Sequence, residues 1–185
     1  MLEQAFVTYA YATLASLKLG SIFMIPSSPA EVQTEWSKIQ EEFTQKGLSL
    51  QILKYEGGKT LLYLFRSAEL MQRLKQIDVC ALLRRYGYDS FELSVVLQYL
   101  QTRIISAIGF PHEIGVFLGY PMEDVVGFIE NNGKNCLCCG CWKVYANPVE
   151  AEKSFARIHK CREIYGRLFA SGCPLSQLAV ATRSA

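Results

Sequence analysis

Helix-period and strand-type segments interleave along these 185 residues. That pattern predicts an α/β (or α+β) class: one three-layer domain over residues 1–185, with a mixed sheet of about five strands flanked by helices. Three observations carry the prediction. Two apolar runs, Leu48 to Tyr55 and Lys59 to Arg66, are separated by Gly57-Gly58, and glycines tolerate the positive φ of a tight hairpin turn. Several segments open on helix-capping residues and then repeat apolar side chains every three or four positions. Half the residues are apolar and 19% are charged, enough to fill a core and too few charges for a disordered chain.

In chain order, Phe6, Ala10, Thr13 and Leu17 give a helix over residues 4–19, ended by Gly20. Residues 21–25 read as a short buried strand. Ser28-Pro29-Ala30-Glu31 is a helix start: Ser28 caps, Pro29 occupies the first turn, and Glu31 completes a capping box. Val32, Trp36, Ile39 and Phe43 form its inner face, and Gly47 closes it. In the hairpin that follows, the run from Leu61 to Phe65 is apolar on both faces, which makes it the central, doubly covered strand.

Helical residues run from Ser67 to Arg85 with a break at Asp78. Asp89 and Glu92 form a further capping box, opening a helix to about Ala107 with Leu93, Leu97, Leu100 and Ile104 inward. Glu113 to Gly119 reads as a strand and Pro121 to Asn131 as a short helix. Cys141 to Ala146 alternates as a strand, with Trp142 and Val144 opposite Lys143 and Tyr145. Asn147-Pro148 opens a long helix with Ala151, Phe155, Ile158, Cys161, Tyr165 and Leu168 inward, stopped by Gly172 and Pro174. No internal repeat, low-complexity linker or composition break divides the chain.

The formal charge of +2 is small and the basic residues are scattered. The densest group, His159, Lys160 and Arg162, is interrupted by Glu163, which argues against a nucleic-acid surface. No stretch approaches the roughly 20 apolar residues a membrane helix needs. Glu3 and Lys18 spoil a signal-peptide pattern in the apolar N-terminal segment. Seven cysteines, an odd number with four crowded together, make a poor disulfide framework, and the chain is placed in the cytoplasm.

The segment from Phe110 to Ile129, with Pro111-His112-Glu113 and Gly119-Tyr120-Pro121 inside it, resembles the central signature of an uncharacterised bacterial family from anaerobic Firmicutes, domain of unknown function 3793. Gly133-Lys134-Asn135, Cys139-Gly140, the run Trp142 to Tyr145, Lys160-Cys161 and the run Thr13 to Lys18 carry the same resemblance over most of the chain. Family genes lie near flavodoxin and iron-uptake genes, which implies a role in anaerobic redox or iron metabolism and a flavodoxin-like protein as partner. The sequence departs from its relatives at Tyr9-Ala10-Tyr11-Ala12, where they carry His-Cys-Ala-Pro. They also share Cys139 but have aromatic residues where Cys136, Cys138 and Cys141 stand.

Two groups of residues could carry chemistry. Cys136, Cys138, Cys139 and Cys141 contain two overlapping C-x-x-C pairs, a spacing that suits zinc, iron or a redox dithiol. Six consecutive residues, however, cannot easily wrap four sulfurs around one ion. His112, following a proline, suits a general base, a metal ligand or a haem ligand; its bland alternative is a histidine hydrogen-bonded at a strand edge. Gly115, Gly119 and Gly127 match no phosphate-loop pattern, and Glu123 and Asp124 would repel an anion at the helix start.

Three functional expectations follow. The first is a small-molecule or cofactor-binding accessory protein with its site at His112 and Tyr120 and the cysteine turn beside it. The second is a thiol-dependent hydrolase-like enzyme or its degenerate relative, which requires Ala10 and His112 within side-chain reach. The third is a protein-interaction module, which requires a contiguous exposed apolar patch.

Overall fold

The computed structural model describes residues 1–107 and 109–181. The chain opens with α1 (Leu2–Tyr9) and α2 (Tyr11–Leu14), then β1 (Gly20–Ile25), α3 (Pro29–Ser37) and α4 (Gln40–Gln45). The hairpin β2 (Leu48–Glu56) and β3 (Lys59–Arg66) follows, and after it α5 (Ser67–Arg73), α6 (Ile77–Arg85), α7 (Leu93–Ser106), α8 (Ile114–Leu118) and α9 (Met122–Glu130). Two short strands, β4 (Cys138–Cys139) and β5 (Lys143–Val144), precede the long α10 (Pro148–Ala170) and α11 (Leu175–Leu178).

The α/β class and the count of five strands hold among the described residues. The strands divide into a three-stranded antiparallel sheet, ordered β1-β3-β2, and a separate β4–β5 ribbon. As its two-faced apolar run requires, β3 is central and buried from Thr60 to Arg66. Its alternate side chains feed two cores, because successive residues of a strand point to opposite faces. Leu62 and Leu64 pack with Phe6, Trp36, Phe43 and Leu175 beneath α1, α3, α4 and α11. Leu61, Tyr63 and Phe65 pack with residues of α5 to α9, among them Leu83, Leu100 and Phe117. Helices therefore cover both faces of this sheet.

Local signals act where the chemistry is explicit. Gly57 and Gly58 take φ of 57° and 74° in the hairpin turn. Ser28 Oγ accepts from the Glu31 amide at 3.3 Å while the Glu31 carboxylate accepts from the Ser28 amide at 2.7 Å, closing the capping box. Asn147 caps α10 by accepting from the Glu150 amide at 3.3 Å, with Pro148 in the first turn.

Several boundaries differ from the sequence pattern. The expected helix over residues 4–19 breaks at Ala10 and ends at Leu14. The helix after Ser28 divides at Lys38–Ile39, and the break in residues 67–85 lies before Ile77 rather than at Asp78, whose carboxylate accepts from the Val79 amide instead. Glu92 starts α7, but Asp89 forms no capping box with it; Ser90 Oγ accepts from the Glu92 amide.

The main correction concerns residues 113–119, read as a strand and folded as α8. Glu113, Gly115, Val116 and Phe117 are all buried, so the run carries no alternation that separates the two periods. Gly119, at φ 78°, ends α8 in the left-handed conformation with the Tyr120 amide donating to the Gly115 carbonyl. A Cβ at Gly119 would come within 2.6 Å of Leu19 Cβ, so glycine is required there for space as well as for φ.

Candidate functional site: two clefts sharing a Tyr120–Trp142 stack

The segment from Pro111 to Glu130 is anchored from below before it offers anything to a ligand. Glu113 is fully buried, and both of its oxygens accept from Arg103 of α7, at 2.9 and 3.3 Å. Tyr63 Oη of β3 donates to the Phe117 carbonyl at 2.6 Å, and burial drives that phenol far above its ordinary pKa. Arg73 of α5 donates to the Val116 carbonyl at 3.0 Å and also to the Tyr120 carbonyl. Charged and aromatic groups of three elements thus fix both ends of α8, and with them the backbone that carries His112 and Tyr120.

The β4–β5 ribbon is fastened to this platform by Asp124. Its carboxylate is almost wholly buried and accepts three hydrogen bonds: Tyr145 N at 2.7 Å, Ala146 N at 3.1 Å and Trp142 Nε1 at 2.8 Å. Gly127 permits the close approach, since a Cβ there would lie 2.4 Å from Tyr145 Cβ. So held, Trp142 stacks on Tyr120 with ring centroids 5.3 Å apart and meets the edge of Phe155 of α10 at 4.5 Å. Tyr120 Oη donates to the Cys141 carbonyl at 3.3 Å, and burial, with a smaller contribution from Cys141, raises its pKa to about 12.

Two clefts share Tyr120, Asp124 and Trp142 in their linings. The first, of about 360 Å³, is walled by Phe110, Ile114, Val125 and Phe128, with His112 and Lys143 as its further polar side chains. Here His112 is exposed and lies edge-on to Phe128, ring centroids 5.5 Å apart. It therefore faces a cleft and neither the core nor a strand edge. Lys143 donates to the Gly133 carbonyl at 2.6 Å and sits 5.9 Å from the Phe128 ring centroid.

The second cleft, about 740 Å³, lies among residues 16–18, the α8–α9 turn and the first half of α10; Lys18, Ser154 and Arg157 are among its polar side chains. The Lys18 ammonium stands 5.1 Å from the Tyr120 ring centroid. Burial lowers its pKa to about 8, against a smaller upward pull from Cys141.

The cysteine turn is adjacent to this architecture but is not gathered into a ligand set. Cys138 and Cys141 pack with Val144, Ala151 and Phe155 in a small third core, while Cys139 is exposed. Burial raises the Cys141 thiol above its ordinary pKa, with Lys18 opposing, and its Sγ lies 3.9 Å from His159 Nε2. Among the described residues, no three His, Cys, Asp or Glu side chains converge as metal ligands would.

Ala10 is fully buried in the core on the α1 side of the sheet, whereas His112 is exposed on the cleft built from α8 and α9. Thr13, three residues on, is also fully buried, and its hydroxyl is hydrogen-bonded to Ser21 at 2.8 Å. Exposed apolar side chains include Phe110 and Leu137.

The sequence pointed to His112 and Tyr120, and the fold brings both to one cleft. It gave no reason to single out Phe128, Lys143 or Lys18, and Asp124 stood out only as an acidic residue that would repel an anion at the start of α9. The Gly127–Tyr145 approach and the Asp124–Trp142 bond are contacts between segments about 20 residues apart, for which a single sequence carries no local signal.

No described helix is long and apolar enough to cross a membrane. No curated protein and no solved structure gives a match to the chain. A family model does match, over residues 6–179. The chain belongs to the family described as protein of unknown function (DUF3793).

Proposed function

We propose that this protein binds a small, largely apolar, planar molecule bearing an anionic group, seated in the His112 cleft against Tyr120, Phe128 and Trp142. The observation that carries this reading is the chemistry of the cleft: aromatic and aliphatic walls, with His112 and Lys143 as the polar side chains left to meet a ligand. Asp124 also lines it, but three protein donors already occupy its carboxylate. A few polar groups in an otherwise apolar concavity is the usual composition of a small-molecule site.

About 360 Å³ lies near the small end of the range for such sites, which favours a ligand smaller than haem. The anchoring of α8 by Arg73, Tyr63 and Arg103 supports a cleft formed in advance of binding, which limits the ordering cost.

The test is a titration with 8-anilinonaphthalene-1-sulfonate, an aromatic, largely apolar probe with one anionic group. The reading expects one saturable site whose affinity falls about tenfold in both His112→Ala and Lys143→Ala, since a hydrogen bond to a charged group contributes roughly 1.5–3 kcal/mol. Both residues are exposed, so the folded state survives the substitutions. Non-saturating binding, or equal affinity in both variants, sinks the reading.

A further inference from the structure

The second cleft has a different chemistry from the first, although Tyr120, Asp124 and Trp142 line both. Lys18 lines it from the turn between α2 and β1, partly buried, with its ammonium against the face of Tyr120. Among the described residues this side chain makes no ion pair and no hydrogen bond, and its ammonium is offset by the Tyr120 ring face. A lysine in such a place gives up part of its hydration for a cation–π contact, and a perturbed amine lining a cleft is a candidate for chemistry. On the α10 wall of the same cleft stand Ser154 and Arg157, the guanidinium donating to Ser154 Oγ at 3.3 Å. Arg157 has no carboxylate within ion-pair distance among the described residues. Of the acidic residues in the lining, Asp124 is saturated by three donors and Glu150 is paired with Lys153 at 2.6 Å, while Glu123 stands exposed at the start of α9.

We infer that Lys18 is a carbonyl-reactive amine, and that the cleft takes a small aldehyde or ketone bearing a carboxylate, with Arg157 receiving the carboxylate. In the reaction the neutral Nζ adds its lone pair to the carbonyl carbon. The carbonyl oxygen takes up a proton as the nitrogen loses one, and the carbinolamine then expels water to leave an imine on Lys18. One amine and one carbonyl become one imine and one water, with no change of oxidation state. The lowered pKa of about 8 adds to the geometry. At neutral pH about one such amine in ten is neutral, against fewer than about one in a thousand for an ordinary lysine.

The experiment uses the full chain, glyoxylate as the probe and cyanoborohydride to trap the imine, with peptide mapping to locate the carboxymethyl group. Mapping also separates Lys18 from the α-amino group of Met1, which is paired with Glu35 at 3.1 Å. The expected result is labelling of Lys18 at least tenfold faster than the other lysines. Acetaldehyde, which lacks the carboxylate, should show a smaller preference for Lys18. Arg157→Ala should remove the glyoxylate advantage while leaving the acetaldehyde rate unchanged, a pattern that loss of folding cannot mimic. Labelling of Lys18 at the rate of the exposed lysines would overturn the proposal. A glyoxylate preference unchanged in Arg157→Ala would overturn the carboxylate assignment.

Discussion

Removing the Asp124 carboxylate should unfasten the β4–β5 ribbon, and the size of the effect can be worked from its contacts. The carboxylate accepts from two backbone amides and one indole N–H, at 2.7, 3.1 and 2.8 Å. Hydrogen bonds to a charged group contribute roughly 1.5–3 kcal/mol each, so simple addition gives about 4.5–9 kcal/mol, an upper bound because the three share one partner. Two corrections reduce it. Burying the carboxylate has itself a desolvation cost that the substitution relieves. Trp142 and Tyr145 are only half-buried and Ala146 is exposed, so water can reach the freed donors. A net loss of about 3 kcal/mol is therefore expected for Asp124→Ala. Glu123→Ala, its exposed neighbour, should stay within about 0.5 kcal/mol. Urea denaturation read at both tryptophans measures the loss as a shift in midpoint at unchanged slope. A loss below about 1 kcal/mol for Asp124→Ala, with Trp142 emission unaltered, would refute the role given to this residue.

Three further outcomes are expected. Arg66 is fully buried and donates to the carbonyls of Thr13, Leu14 and Val180, so Arg66→Met should lower stability by about 3 kcal/mol. It should also speed hydrogen exchange at the Val180 amide, which donates to Leu14. Lys18 carries a pKa lowered by burial to about 8, so between about pH 8 and its ordinary value near 10.5 the unfolded chain binds the extra proton. Stability then rises with pH across that window, and the advantage of Lys18→Met over the natural chain, largest below pH 8, should shrink through it in denaturation measured at several pH values. Among the cysteines, Ellman's reagent should modify exposed Cys139 first and Cys161 last, the latter being buried and raised to about pKa 11. Early labelling of Cys161 would mean that α10 does not pack as described.

The legible parts of this fold were those whose signal is local. Gly57-Gly58 between two apolar runs, Ser28 with Glu31, and Asn147 before Pro148 each specify their own turn or cap, and each is found. The unbroken burial of β3 followed from apolar residues on both of its faces. What failed was the assignment of α8, a run of apolar residues buried all round, where neither the 2.0 nor the 3.6 period is visible. Gly119 was the available signal: a glycine after a short apolar run is a helix terminator as readily as the end of a strand.

For the candidate cleft, His112 and Tyr120 stand out in the sequence because each is chemically distinctive in a short signature, and both line it. Asp124, Phe128 and Trp142 were not. Their roles arise where α9 meets the ribbon, and only the fold brings those segments together. The cysteine turn drew attention by its density, yet Cys138 and Cys141 are spent largely on packing against Phe155 and Val144.

The ligand reading is tested most directly by the chain's two indole N–H groups, which report from separate places. Trp142 lines the His112 cleft and Trp36 lies in the core on the opposite side of the sheet. A nitrogen–proton correlation spectrum recorded during titration with 8-anilinonaphthalene-1-sulfonate follows both at once. The proposed site predicts a saturable shift of the Trp142 indole together with the amides of Gly115, Phe128 and Lys143, while the Trp36 indole stays fixed. A fixed Trp142 signal at saturation, or equal movement of Trp36, would contradict binding in this cleft.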